Sequence, residues 1–325
     1  MTPVEIAPGV TALGGTRVRR GEIVAYATMR NERARLPFFL QHHRRLGVDR
    51  FLIMDNDSDD GTTEFLLDQG DVLAFHTAAS YSGARQGVDW QNLILDAFAD
   101  GHWALVVDAD ELFVYPSYED LDLRSLASWV ESHGQDAVES FLLDMYCMGA
   151  IGDCRLDKAD WFRTCAWFDP DTYRWPVGDA LYRRVPTAGG PRERLFWSEE
   201  RRVPPPFLGK IPFLRWRRGR VYEASTHIIR DTSLAEATGA LLHFKLTSEL
   251  FQSAPLEARR GEHWKQGSEY AVYAETLGRN PELTAHTPSS VRFRGSRQLV
   301  ELGLLTAPDD YPSAAVPRSL DRGSS

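Results

Sequence analysis

Asp108 and Asp110 stand two residues apart, directly after the five apolar residues 103–107 (WALVV), and Glu111 follows them. Carboxylates at i and i+2 of an extended segment project to the same side. A strand carrying both into a core would be too unstable to form, so the pair belongs at the strand's carboxyl end, facing a crevice. Open α/β sheets bind ligands at that edge. Two acidic groups aimed at one point need a counter-charge, and a hard divalent cation backed by a phosphate supplies it. An isolated Asp-x-Asp also suits a strand-end turn with solvated acids. Here the apolar run before it and the continuation Leu112, Phe113, Val114, Tyr115 favour a functional site.

The elements that must position this pair alternate regularly. Residues 23–28 read as a strand and lead at once into Met29, Arg30, Asn31 and Glu32. Leu36, Phe39, Leu40 and Leu46 recur at helical spacing over 35–46, and Gly47 closes that helix. A strand over 48–54 runs into Asp55, Asn56, Asp57, Ser58, Asp59, Asp60 and Gly61. Helix 63–69, strand 72–75 and helix 89–99 complete the series before the 103–107 strand. Such a succession predicts a mixed, mainly parallel sheet wrapped by helices. Right-handed crossovers bring the strand ends to one edge. That edge then carries Arg30, Asn31 and Glu32, then Asp55, whose carboxylate can accept from a uracil imide or a ribose hydroxyl, then Asp108 and Asp110. Beyond 116 the sequence predicts a helix over 121–132, a strand over 140–145 and an extended segment over 241–246. Residues 161–220, rich in Trp, Arg and Pro, read as loops with short strands, and 250–277 as helical. The expected organisation is a leader over 1–20, an α/β domain over 21–250, a helical C-terminal extension over 251–305 and a flexible tail over 306–325.

A chain of 325 residues can bury a substantial core. Its formal charge of -9 argues against a general nucleic-acid binder. No apolar stretch reaches the roughly 20 residues of a membrane span, and the N-terminus has no secretory-signal pattern. Cys147, Cys154 and Cys165 fit neither a zinc site nor a disulfide framework. The cytoplasm is the default location. Arg201, Arg202, Lys210, Arg215, Arg217, Arg218 and Arg220, interleaved with Phe207, Phe213 and Trp216, read first as a solvated face. Contact with an anionic acceptor or a membrane periphery is the other use of such a run. Trp161, Trp167, Trp175 and Trp197 suit core packing better than a sugar-stacking platform. His263 and Trp264 sit on the late helix without an evident partner.

The succession MRNE, MDNDSDDGT and VVDADEL resembles the family 2-like glycosyltransferases, whose nucleotide-sugar-binding fold is called GT-A. The later ALLHFKLTSEL looks like the histidine-plus-lysine segment near the end of that domain. The resemblance covers about 23 to 250 and departs from the commoner acidic-acidic-Gly-Ser pattern by having Asn56 and Asp57 at its centre. It implies a Mn²⁺- or Mg²⁺-dependent transfer of a sugar from a nucleotide-diphosphate donor, UDP-linked in most of the family, to a carbohydrate or lipid-linked acceptor. Asp55 would hold the nucleoside, with Arg30 and Glu32 beside it. Asp110 would bind the metal on the diphosphate, and Asp108 the ribose or, through water, the same ion. His243 would complete the metal site, Lys245 would neutralise the leaving group, and Arg85, in a loop this fold lays against the donor, would touch a phosphate. Inverting transfer also needs a general base, and Asp144, ending the apolar run 141–143, is the first choice. Two rival readings remain. A haloacid-dehalogenase-like phosphohydrolase would use Asp108 and Asp110 with Gly152, Asp153 and Asp157. That pair, however, lies far from the chain start, and too few residues separate the motifs. A nucleotide-sugar-binding protein without turnover is the other.

Overall fold

The computed structural model describes residues 3–14, 17–177, 181–198 and 201–312. A hairpin of β1 (Val4–Ala7) and β2 (Val10–Gly14) comes first, followed by β3 (Val24–Met29), α1 (Leu36–Arg45), β4 (Arg50–Asp55), α2 (Thr62–Leu67) and β5 (Val72–His76). Then come α3 (Val88–Phe98), β6 (Trp103–Val106), β7 (Glu111–Val114), α4 (Leu123–Ser132) and β8 (Ala137–Asp144). Short strands β9 (Trp167–Phe168), β10 (Tyr173–Arg174) and β11 (Ala188–Gly189) lead to α5 (Gly190–Phe196). The chain continues through β12 (Gly209–Arg215), β13 (Tyr222–Ala224), β14 (Ile228–Ile229) and β15 (Gly239–His243). It ends with α6 (Ser248–Arg260), α7 (Trp264–Arg279), β16 (Val291–Arg292) and α8 (Ser296–Glu301).

The α/β class expected from the sequence is present. One ten-stranded sheet has the order β1-β2-β5-β4-β3-β6-β12-β8-β15-β7. β5, β4, β3 and β6 run parallel to one another, and β8 and β15 form a second parallel pair. β12 is antiparallel to β6 and β8, so those two strands share a direction, and β7 is antiparallel to β15. The carboxyl ends of β3, β4, β6, β8 and β15 therefore meet at one sheet edge, together with the amino ends of β7 and β12.

The local sequence did not announce β12. It lies inside the Trp/Arg/Pro-rich stretch read as loops, and it contains Pro212, which cannot donate to a ladder. The register slips between Lys210 and Phe213 against β8, a bulge that accommodates the proline. Its side chains explain its central position, because Ile211, Phe213 and Leu214 are fully buried. Phe213 stacks on Trp103 at 4.7 Å and lies 6.0 Å from Phe113, tying β12 to strands on both sides of it. The basic run of 201–220 is consequently not one face: Lys210 and Arg220 point inward and are buried. The helical stretch expected over 250–277 is two helices, broken by left-handed Gly261, Lys265, Gln266 and Gly267. Residues 304–311 lie on the body, with Leu304, Leu305 and Tyr311 buried and the Thr238 amide donating to Thr306. Residues 313–325, most of the expected tail, lie outside the described residues. Among the described residues no helix is long and apolar enough to cross a membrane.

Gly239, at the start of β15, marks the tightest packing between the strands that carry the site. A Cβ there would sit 2.5 Å from Cε2 of Phe113 and 2.6 Å from Oγ of Ser140. Gly239→Ala is expected to cost about 1–3 kcal/mol through overpacking. The measurement is the urea midpoint, which should fall at an unchanged m value.

Candidate active site

Sheet register builds the centre of the site. His243, the last residue of β15, pairs across the sheet with Asp144 of β8 on one side and with Glu111 of β7 on the other. Paired residues project to the same face, so the imidazole is held between two carboxylates. Its Nδ1 lies 2.6 Å from Oδ1 of Asp144, and its Nε2 lies 3.5 Å from Oδ2 of Asp110. Asp110 sits in the turn between β6 and β7, pinned by the Phe244 amide, which donates to its carbonyl at 2.8 Å. Lys245 Nζ lies 3.5 Å from the same Oδ2 and donates to the Tyr270 hydroxyl at 2.9 Å. Asp108, half-exposed, and Glu111, fully buried, share one ammonium: Lys210 Nζ is 2.8 Å from Asp108 Oδ2 and 2.5 Å from Glu111 Oε1. Glu111 also accepts from the Asp108 amide at 3.0 Å.

These groups line or back a cavity of about 570 Å³. One wall is the loop after β3, with Arg30, Asn31, Glu32 and Arg35, joined by Asn56. Asp108, Asp110, His243 and Lys245 form the floor, and α6, α7 and Tyr81 form the opposite wall. Arg35 ties the two walls together, 2.7 Å from Glu32 and 3.3 Å from Glu249 at the start of α6.

The electrostatics separate the carboxylates. Burial disfavours ionisation of Asp110, but Lys245 and His243 outweigh it and hold the carboxyl well below its usual range. Asp108 is likewise held down by Lys210 against burial. Asp144 is held down against burial by Arg192, whose Nε lies 2.8 Å from Oδ1, and then by His243. Glu111 goes the other way: burial pushes it up to about 7 against the pull of Lys210. One ammonium shared by two carboxylates leaves the deeper one poorly compensated. Burial disfavours a charged His243, yet Asp110 and its other acidic neighbour raise its proton affinity.

Ligand atoms of Asp110, Glu111 and His243 all lie within 4.8 Å of one another, a possible metal-binding group. Glu111 is already committed to Lys210 and a backbone amide, so the accessible donors are Asp110 and His243. Their fit to a divalent cation is good. An oxygen and a nitrogen face the cavity, and a carboxylate behind the histidine fixes its ring, as metal-bound histidines require. Asp110 is also the carboxylate whose cationic partners stand off at 3.5 Å, whereas those of Asp108, Glu111 and Asp144 lie at 2.5–2.8 Å.

Of the residues expected from the sequence, Arg30, Glu32, Asp108, Asp110, His243 and Lys245 share this cavity. Three do not line it. Asp55 is fully buried and accepts from the hydroxyls of Ser58 and, at 2.5 Å, Thr63, so it organises the start of α2. Its neighbour Asn56 lines the cavity instead, with its carbonyl receiving Arg30 at 2.9 Å. Arg85 is turned away and paired with Asp89 at 2.6 Å. Asp144, expected as the general base, has no solvent exposure and both oxygens engaged, by Arg192 and His243, so it lies behind His243 rather than on the cavity wall. Neither Asp153 nor Asp157 lines the cavity, which removes the second acidic motif of the phosphohydrolase reading. Lys210 and Arg192 went unrecognised in the sequence. The available signal for Lys210 was a lone lysine within the apolar run 208–214, which demands a buried carboxylate partner.

No protein-family model matches the chain, and no curated protein sequence matches it significantly. Among the solved structures that overlap part of it are two synthases. Mannosyl-3-phosphoglycerate synthase from Rubrobacter xylanophilus is 18% identical over 38% of this chain and 40% of its own, with a TM-score of 0.27. 4-Diphosphocytidyl-2C-methyl-D-erythritol synthase is 16% identical over 44% of this chain and 66% of its own, with a TM-score of 0.27. The chain spans less than two thirds of the length of either, and overlaps this slight do not define a family.

The shared ammonium has a measurable consequence. Lys210→Met would strand two carboxylates and is expected to cost about 3–5 kcal/mol at pH 8. Glu111 is raised in the folded state, so the native protein binds this proton more tightly than the unfolded chain. Stability from this group therefore falls as pH climbs from about 4.5 to about 7. The variant's deficit should be smaller at pH 5 than at pH 8 in urea titrations. An equal deficit at both would contradict the assignment.

Proposed function

We propose that this chain is a divalent-metal-dependent glycosyltransferase of the GT-A type. It would move a sugar, a hexose in the simplest case, from a nucleoside-diphosphate donor to a carbohydrate or lipid-linked hydroxyl. The observation that carries this reading is the cavity-facing pair of Asp110 Oδ2 and His243 Nε2, 3.5 Å apart, with Lys245 Nζ at 3.5 Å from the same oxygen. That arrangement gives a diphosphate a metal seat and a fixed cation side by side. Departure of a nucleoside diphosphate develops negative charge, which is the event such a pair stabilises.

Asp110 and His243 would hold Mn²⁺ or Mg²⁺, which when bound neutralises the diphosphate oxygens and orients them. Asp144 keeps the His243 ring fixed with Nε2 outward. Lys245 takes the growing charge of the leaving group. Asp108, half-exposed at the cavity floor, is available to a ribose hydroxyl or to a metal-bound water. Arg30, Glu32 and Asn56 line the end of the cavity where the nucleoside would lie, UDP being the first candidate. Asp55 and Arg85, off the cavity wall, enter this reading only as supports of the loops that bound it.

A thermal-shift panel of nucleoside diphosphates, with and without Mn²⁺, tests the proposal. A ligand that binds only the native state at 100 times its Kd adds about 2.7 kcal/mol. One diphosphate should raise the melting temperature by several degrees, only with metal, and Asp110→Ala should abolish the rise. An equal shift in that variant would sink the metal assignment. Lys245→Ala should keep metal-dependent binding of the diphosphate but lose about 10²–10³ in kcat, read from nucleoside diphosphate release.

A further inference from the structure

The strap formed by the connection from α6 to α7 and the first turn of α7 borders the cavity at His263, in a conformation that L-residues seldom adopt. Lys265 and Gln266 have φ of 47° and 57°, between Gly261 and Gly267 in the same left-handed region. Glu262 clamps this strap to the facing loop, accepting from Ser80 Oγ at 2.8 Å and from the Ser82 amide at 2.7 Å. Next to Glu262 is His263, which lines the cavity.

Its surroundings are specific. Nε2 lies 3.1 Å from Oε2 of Glu257, another cavity residue, in the last turn of α6. A carboxylate can only accept, so Nε2 carries the hydrogen, and the neutral ring then has its lone pair on Nδ1. Nδ1 has no hydrogen-bond partner among the described residues. The ring lies 4.3 Å from Tyr270, whose hydroxyl receives Lys245, and 5.7 Å from Tyr81. The histidine is therefore one aromatic ring away from the lysine assigned to the leaving group. The other carboxylates on the cavity wall are engaged: Glu32 by Arg35, and Glu249 by Arg35 and the Thr247 hydroxyl.

Resting on the glycosyltransferase reading above, we propose that His263, oriented by Glu257, is the general base that activates the acceptor hydroxyl. The acceptor proton passes to Nδ1 as its oxygen bonds to the anomeric carbon. The bond from that carbon to the phosphate oxygen breaks, and its electron pair leaves with the nucleoside diphosphate. The imidazolium so formed stays paired with Glu257, and the single displacement inverts the anomeric configuration. Glu257 is a positioning residue; His263 is the catalytic one. The charged and titratable groups facing the ring are Glu257 and Arg260 on α6, Glu262 in the strap, Tyr270 on α7 and Tyr81 in the loop.

The test combines UDP with Mn²⁺ for binding and a panel of UDP- and GDP-sugars for turnover, with water and simple glycosides as acceptors. His263→Ala and His263→Gln should keep the nucleotide-dependent thermal shift and lose about 10²–10⁴-fold in nucleoside diphosphate release. The glutamine variant retains a donor to Glu257, which guards against loss of fold. Glu257→Ala should lower kcat while leaving the donor KM and the nucleotide-dependent thermal shift in place. Glu257→Gln, whose amide oxygen can still accept from Nε2, should recover most of that loss. Turnover within twofold of wild type in both His263 variants, an unchanged kcat in Glu257→Ala, or a product of retained configuration would each overturn the base assignment while leaving the transferase reading intact. A wild-type protein that neither binds nor turns over any member of the panel would overturn that reading, and the base assignment with it.

Discussion

Four carboxylates, those of Asp108, Asp110, Glu111 and Asp144, crowd one end of the central sheet, three of them almost fully buried. Taking any one of them out of water without a partner would cost several kcal/mol. The structure answers with Lys210 from β12, Arg192 from α5, and His243 and Lys245 from β15 and its continuation. Much of the topology follows from that need. An antiparallel strand between β6 and β8 brings a lysine to the acidic turn, and parallel pairing of β8 with β15 sets Asp144 beside His243.

The compensation is uneven. Asp108, Glu111 and Asp144 are gripped at hydrogen-bonding distance, whereas Asp110 has two cations that stand off from it. At Asp110 the nearest cationic atoms, His243 Nε2 and Lys245 Nζ, both lie at 3.5 Å, with no short ion pair. The tight pairs hold the edge together, and the loosely compensated Asp110 lines the cavity.

Closure of the cavity depends on different and weaker forces. α6 and α7 pack against each other and cover the floor, while the strap between them reaches the opposite loop through Glu262 and its two exposed donors. Exposed contacts of this kind contribute little individually; His263 adds its bond to Glu257 and ring contacts with Tyr270 and Tyr81. The Arg35 bridge from Glu32 to Glu249 gives both walls a common fixed point nearer the floor.

Periodicity and strand-end chemistry were legible from residue order alone. The alternation through β6 and the gathering of Arg30, Glu32, Asp108 and Asp110 at one edge follow from local pattern and crossover handedness, whereas His243 and Lys245 are reached only through the resemblance to glycosyltransferases. What local pattern cannot carry is the choice of partner across long stretches of chain. Lys210 reaches Asp108 over 102 positions and His243 reaches Asp144 over 99, and nothing near either residue encodes the match. For that reason β12 looked like loop, Asp55 and Asp144 looked like open strand-end acids, and His263 looked partnerless. An acid at the end of a strand can be read from sequence; whether it meets water, a cation or a hydroxyl depends on which distant side chain fills the space beside it, and only the assembled sheet decides that.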